Sequence, residues 1–407
     1  MPKGVGRNVV WMGAVSFFAD VAGEMIAPLL PLYMTAVLGA PPTAVGLVEG
    51  AAELSASVFR GVGGWWSDRA GARKPTVVFG YTLSAFAKPA LALAGGWPGL
   101  LAARFADRAG KGLRGSARDA LIAASTSPEH WGKAFSLHRA MDTAGAVAGP
   151  LIGLLLLSAG LSYRAIFLWA AAPAFAAVFV LVSRVREAEV VKEMPPPEAV
   201  VRSRAPLSPR FWRFLAVYGL FALGNSSDSF LLLKGRDAGM SAAAVILAYV
   251  LFNLVNASLA TTAGHLADRF GRRLTVAAGM GVYALCYLGF ARASSAAALW
   301  PLFALYGMQA ALIEGSFRAA VADASDPENR GLAQGVFQGT AGVLAFAASA
   351  LAGLLWTKLS PSAPFYFGAA CAAAAAVLLP FSVLTPGSPR EGISALKASA
   401  PTRSARR

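Results

Sequence analysis

Two stretches decide the fold: Gly64-Trp-Trp-Ser-Asp68-Arg69-Ala-Gly71-Ala-Arg73-Lys74 and Gly264-His-Leu-Ala-Asp268-Arg269-Phe-Gly271-Arg272-Arg273. Gly, Asp, Arg, Gly and Arg recur at an offset of 200 residues. A weaker echo follows each copy, Pro128-Glu129 with Gly132 and Ala134 against Pro327-Glu328 with Gly331 and Ala333, at an offset of 199. Two echoes at one period in a chain of 407 residues indicate a single unit used twice in parallel.

Composition says what kind of unit it is. Hydrophobic residues make up 56% and charged residues 14%, where an ordinary soluble domain holds roughly 25% charged residues. An integral membrane protein follows. Cys286 and Cys371 both sit in apolar runs, which suggests neither a disulfide framework nor a metal site. Asp20 and Glu24 interrupt the first apolar run, which is also too long for a cleavable signal.

Hydropathy, broken at Gly, Pro and charge clusters, predicts an all-α membrane protein with twelve transmembrane helices, each near the 20 residues that cross about 30 Å of hydrocarbon. They fall near 9-37, 43-63, 75-95, 98-123, 133-158, 163-183, 211-234, 241-264, 274-293, 298-323, 331-357 and 363-385. Two pseudo-symmetric six-helix bundles, 1-183 and 213-385, then flank a polar linker over 184-212 that contains Pro195, Pro196, Pro197, Pro206 and Pro209. A basic segment, 386-407, rich in Ser, Ala, Arg and Pro, has the composition of a disordered tail.

Lys and Arg sort by loop. One set of loops and the two termini hold 22, whereas the other set holds five: Arg164, Lys234, Arg236, Arg292 and Lys358. The positive-inside rule places both termini in the cytoplasm of a multi-pass protein of a cell membrane, of the bacterial inner-membrane type. It also explains most of the net charge of +15, so nucleic acid is not expected as a partner. Each doubled stretch closes an even-numbered helix and turns into the next, with Gly71 and Gly271 supplying the positive φ a tight turn often needs. Asp68 or Asp268 can meet an Arg or a helix N-terminus across the loop. A topology anchor is the plainer reading of Arg73, Lys74, Arg272 and Arg273.

The doubled loop resembles the signature of the major facilitator superfamily, G-x-x-x-D-R-x-G-R-R, with Ala72 replacing the first Arg of the closing pair in the first copy. Gly145-Ala-Val-Ala-Gly149-Pro150-Leu-Ile-Gly153 is similar to the helix-packing motif G-x-x-x-G-P-x-x-G of the drug/proton antiporter branch. Gly23-Glu-Met-Ile-Ala-Pro28-Leu-Leu-Pro31 loosely matches the Pro-x-x-Pro of that branch, and Arg104 takes the place of its fourth-helix Arg. Asp107 and Arg108 stand where Gln and Gly are usual. The resemblance implies a lipid-embedded monomer whose two bundles rock about a central cavity, with a small-molecule substrate near the midplane and H⁺ as coupling ion. It also implies gating loops, Gly64, Asp68, Arg69, Gly71 and Arg73 with Gly264, Asp268, Arg269, Gly271 and Arg273, that latch one state by charge pairing.

Ionisable residues inside the spans cost roughly 2.5–3.5 kcal/mol each at a helix centre, and their distribution is unequal. The first half holds fifteen; the second holds Asp228, Glu314, Arg318 and Asp323. Asp20 with Glu24, and Glu49 with Glu53, are i,i+4 pairs that project from one side of a helix. Low dielectric and a neighbouring carboxylate both favour the protonated form of a carboxyl group. Asp20, Glu24, Glu49, Glu53, Arg104 and Asp142 are therefore proton-coupling candidates, Glu24 and Glu53 first, and a buried ion-pair network is the alternative. His138 and Asp142 share a face as a relay or a local hydrogen-bonding pair. Asn225, Ser226 and Asn253 are also polar groups in apolar runs, but Asp228, Asn256, Glu314 and Gln338 are the substrate-pocket candidates. Tyr, Phe and Trp are taken as packing or lipid-facing.

Three functions stay open. The first is proton-coupled efflux of small, amphipathic compounds by a secondary transporter. The second is uptake or export of an anionic metabolite, if Arg104, Arg108 and Lys111 line the cavity with spare positive charge. The third is a transporter-like sensor or a membrane-embedded enzyme, although no nucleophile, metal, cofactor or P-loop motif supports catalysis.

Overall fold

The computed structural model describes residues 6–187 and 206–382, so most of the linker expected over 184-212 and the tail at 386-407 lie outside the described residues. Among the described residues all regular structure is helical. Twelve rods run back and forth: span 1, Arg7–Glu24 with Leu29–Ala36; span 2, Pro42–Ala70; span 3, Lys74–Leu93; span 4, Trp97–Ala124; span 5, Trp131–Ser158; span 6, Tyr163–Trp169 with Ala171–Arg184. Span 7 is Pro209–Gly224 with Ser229–Asp237; span 8, Ala242–Phe270; span 9, Arg272–Arg292; span 10, Ala296–Asp323; span 11, Arg330–Lys358; span 12, Ala363–Leu378. Eight rods are long and apolar enough to cross a membrane by length and composition alone. Spans 2 and 4 fall short through their own charged residues, span 7 is divided, and span 12 is short.

Local chemistry sets the ends. Gly71, at φ 62°, closes span 2 in the left-handed conformation, and Gly271, at φ 87°, separates spans 8 and 9. Ser162, Ser208 and Ser241 cap spans 6, 7 and 8 by accepting the N–H groups of Ala165, Phe211 and Ala244. The weaker echo is structural too: Pro128–His130 and Pro327–Asn329 each form one 3₁₀ turn ahead of spans 5 and 11.

Two helices expected to be continuous are broken, and they occupy equivalent places in the two halves. Span 1 gives way over residues 25–28, where Pro28 has no N–H to continue the helix, and span 7 opens over residues 225–228. Asn225 and Ser226 thus lie in an unwound segment rather than on a helix face. In the second break the Ser227 N–H leaves its helix and donates to Ser349 Oγ on span 11 (3.1 Å).

The packing repeats with the sequence. Spans 1 and 5, 2 and 4, 3 and 4, 3 and 6, and 1 and 6 pack together; so do 7 and 11, 8 and 10, 9 and 10, 9 and 12, and 7 and 12, each pair shifted by six. The interiors of the two bundles differ. The first is crossed by ion pairs, the second is filled by rings such as Tyr283, Tyr287, Phe290 and Phe365, with Tyr283 and Tyr287 stacked at 4.0 Å.

Glycine sets close contacts at several helix pairs, and two of them shape the site. On span 5, Gly145, Gly149 and Gly153 meet successive turns of span 1 at Phe17, Val21 and Met25. A Cβ on Gly149 would lie 2.7 Å from Val21 O and 2.8 Å from Glu24 Cβ, so this motif fixes the wall that carries Asp20 and Glu24. Gly149→Leu is expected to destabilise the protein by about 1–3 kcal/mol through overpacking, read as a lower melting temperature in detergent. The other contact joins the bundles: Gly46, Gly50, Ser57, Gly342 and Gly353 let spans 2 and 11 close on one another along most of span 2.

Candidate functional site

The loops between spans 2 and 3, 4 and 5, 8 and 9, and 10 and 11 share one end of the molecule, here the near end; those between spans 1 and 2, 3 and 4, 7 and 8, and 11 and 12 share the far end. At the far end the bundles touch. Thr43 Oγ1 on span 2 donates to Gly353 O (3.2 Å) and lies 2.9 Å from Thr357 Oγ1 on span 11. Further along the same seam Ser57 Oγ donates to Gln338 O (2.6 Å), and Arg60 Nη1 to Gln338 Oε1 (3.0 Å).

Between spans 1, 4, 5 and 8 the bundles part around a cavity of about 950 Å³. It shares Arg139, Asn256 and Ala260 with a second space of about 460 Å³ that reaches Asp268 and Arg272 at the near end. A third space, about 280 Å³, lies where the unwound segment of span 7 faces spans 2 and 4.

Span 4 organises the charge. Steps of four, three, three and four residues from Arg104 place Arg108, Lys111, Arg114 and Arg118 along one side of the helix. Arg104 bridges Glu49 (3.2 Å) and Asp107 (3.5 Å), all three buried, and Lys88 on span 3 completes the cluster 2.9 Å from Asp107. Arg108 holds Glu53 at 3.4 Å, and Lys111 reaches Asp20 only at 4.0 Å. Arg114 stacks over the Tyr81 ring (4.2 Å) and donates to Ser84 Oγ (2.7 Å). Carboxylates from spans 1 and 2 and a lysine from span 3 thus face one basic helix.

Glu24 leaves this network for the other bundle: Tyr249 on span 8 donates its hydroxyl to Glu24 Oε2 at 2.8 Å. The second bundle has a parallel pair, with Tyr306 donating to Asp228 Oδ1 at 2.6 Å beside the unwound segment. Reading tyrosines as packing groups missed both. The available signal was the hydroxyl itself, since Tyr in place of Phe deep in a membrane needs a polar partner.

The remaining candidates separate. Asp20, Glu24, Asp142 and Asn256 line the largest cavity; Glu49, Glu53, Arg104 and Asp228 line the third. Gln338 serves the inter-bundle seam instead of a pocket. Glu314 falls on span 10, and its side chain lies outside what the structure describes. His138 Nδ1 stands 3.6 Å from Asp142 Oδ2, beyond hydrogen-bond range, and both side chains keep a buried atom without a partner.

At the near end, Asp68 and Asp268 are exposed and make no ion pair among the described residues. Their loops are held by other groups. The Glu187 carboxylate accepts the N–H groups of Arg73 (3.2 Å) and Lys74 (2.8 Å) at the start of span 3, and Arg73 Nη1 donates to Ala120 O. In the second copy Arg272 Nη1 sits 2.7 Å from both oxygens of Asp323.

The profile of the Major Facilitator Superfamily matches residues 12–234 and 229–406. The chain is 35% identical over 388 residues to an uncharacterised MFS-type transporter of Methanocaldococcus jannaschii, a match covering 93% of this chain and 95% of that one. It is 29% identical over 361 residues to an uncharacterised protein of Mycobacterium tuberculosis, covering 86% and 87%. Among solved structures, a POT family transporter in complex with 5-aminolevulinic acid superposes with a TM-score of 0.77 at 13% identity, over 94% of this chain and 97% of that one. The human organic anion transporter MFSD10 gives 0.67 at 18%, over 92% and 99%. Likeness at these identities speaks for the fold.

Proposed function

Since the chain belongs to the major facilitator superfamily and is a membrane transporter rather than an enzyme, we propose that it carries a small hydrophilic solute bearing negative charge by alternating access, in exchange for protons. The wall of the 950 Å³ cavity carries this reading: Arg60, Lys111, Arg114, Arg118 and Arg139 face it, against Asp20, Glu24 and Asp142. Lipophilic cations, the cargo suggested by the drug/proton antiporter motifs, would meet more basic than acidic side chains along that wall. The Gly145–Gly153 motif supports the antiport half of the reading, and with it efflux driven by inward proton flow.

Loop charge supports a near end facing the cytoplasm, with both termini there and the large cavity open inward. One chain encloses the whole cavity, which supports a monomer as the working unit. Glu24 is the coupling carboxylate best placed to inform both bundles, through Tyr249. Glu53, partly exposed and held by Arg108, is the second. The signature loops act as latches engaged in the alternate, outward-facing state, in keeping with the unpaired Asp68 and Asp268 of the state described here.

The test is purified protein in liposomes under an imposed pH gradient, offered organic anions, sugars and lipophilic cations. Organic anions are expected to trigger proton flux. Glu24→Gln and Glu53→Gln should remove its dependence on pH, while Asp68→Asn and Asp268→Asn slow turnover about tenfold, equivalent to ~1.4 kcal/mol of barrier. Flux with lipophilic cations and none with anions would refute the substrate class; pH-dependent flux in both Gln variants would refute the coupling role.

A further inference from the structure

Asp228 is the carboxylate that the ion-pair network leaves out. Lys88, Arg104, Arg108, Lys111 and Arg114 are matched in number by Asp20, Glu24, Glu49, Glu53 and Asp107. Arg60, about two turns of helix from Glu53, is held by Gln338 and lines the large cavity. In the second bundle Lys234 faces Asp237. No described ion pair includes Asp228. Its Oδ1 accepts the neutral Tyr306 hydroxyl, while Oδ2 has no partner among the described residues and is not closed off by protein. Asp228 also makes no capping bond to the half-helix Ser229–Asp237 that it precedes. An ionised group inside a membrane span ordinarily has a counter-charge.

The surroundings offer room and oxygen atoms. Asp228 lines the third space, of about 280 Å³, together with Asn225, Ser226, Ser227 and Ser349. Asn225 is exposed there, and its side chain makes no hydrogen bond among the described residues. Three other spans hold the break in place: Tyr283 on span 9 donates to Gly224 O, Tyr306 on span 10 to Asp228, and Ser349 on span 11 accepts the Ser227 N–H. Arg104 and Arg108 reach the same space, but each already faces a carboxylate. Carboxylate, amide and hydroxyl oxygens around an open volume are the acceptors a small cation needs. A proton alone would meet the charge, but leaves the room and the neighbouring oxygens unused.

We infer that the third space binds a monovalent cationic group at Asp228, either a sodium ion or the primary ammonium of a transported solute. The sodium form stands on Asp228 and the space alone. The ammonium form rests on the anionic-solute reading above and makes the cargo a zwitterion. Glu24 lines the large cavity and Tyr249 the third space, so the hydrogen bond between them lies between the basic region and the cation site.

Full-length protein in detergent is melted at pH 8, where a free carboxyl group is ionised, in the chloride salts of sodium, methylammonium and choline at matched ionic strength. Choline carries its charge behind methyl groups and offers no N–H donor. The expected result is a saturable rise in melting temperature with sodium or methylammonium over choline. Sodium alone identifies a free ion, methylammonium alone a solute ammonium, and mutual competition a site that accepts both. Asp228→Asn keeps an acceptor for Tyr306 but removes the charge, and should abolish the rise. Asn225→Ala disturbs no described side-chain contact and should weaken the apparent affinity about tenfold, so it reports on the site even where Asp228→Asn does not fold. Equal melting in all three salts, a rise that Asp228→Asn retains, or an affinity that Asn225→Ala leaves unchanged would overturn the site. Failure of organic anions in the liposome assay would instead count against the anionic-solute reading without touching Asp228.

Discussion

Arg104→Met lowers the melting temperature of the purified protein by roughly 10 °C, the largest stability loss expected from a single substitution in the first bundle. Arg104 is 3% exposed and neutralises two buried carboxylates at once, Glu49 and Asp107. Removing one partner of a buried ion pair costs about 3–5 kcal/mol, because the charge left behind keeps its desolvation penalty without compensation. Asp107 retains Lys88, so the stranded group is Glu49, whose Oε1 already lacks a partner. Adding Glu49→Gln to Arg104→Met should therefore recover part of the loss. Melting followed by the fluorescence of the nine tryptophans measures both. A single variant that melts within ~2 °C of the parent, below the shift expected for 1 kcal/mol, would mean that the cluster contributes little to holding the bundle.

Cross-linking the far end is expected to stop transport altogether. Thr43 and Thr357 bring hydroxyl oxygens from spans 2 and 11 within 2.9 Å, close enough for a Thr43→Cys/Thr357→Cys pair to approach disulfide geometry. The two native cysteines, Cys286 and Cys371, are buried and free, so the background is quiet. Oxidation should reduce turnover in liposomes to background, and reductant should restore it. Full turnover by a protein shown to be cross-linked would mean that the far end need not open, and alternating access by these two bundles would be wrong.

What the sequence displayed and what it concealed divide along a physical line. Span number and the repeat were legible because hydrophobic runs, glycine turns and the Gly-Asp-Arg-Gly-Arg loop are properties of contiguous residues. The carboxylates and bases of the first half were equally visible as a list. Their pairing was not: Lys88 meets Asp107, and Arg104 meets Glu49, only through the rotation of one helix against another, which no single-helix periodicity carries. Gln338 illustrates the same limit. Its position in an apolar run suggested a pocket, yet the small residues of spans 2 and 11 bring that surface into the seam between bundles. At Asn225 the break in span 7 had a local signal, Gly224 followed by Asn and two serines, which the apolar content on either side outweighed.

The charged interior of the first bundle also constrains how the protein can be made. Span 4 carries seven charges from Arg104 to Asp119, and each costs roughly 2.5–3.5 kcal/mol to place alone at the centre of a bilayer. It cannot leave the insertion machinery for lipid as a lone helix. Its neutralising partners, Glu49, Glu53, Asp20 and Lys88's companion charge on Asp107, belong to spans 1 to 4 themselves, all synthesised by the time span 4 emerges. The order of the chain thus delivers Asp20, Glu49 and Glu53 before the helix that needs them, and insertion of span 4 is expected to depend on the spans that precede it.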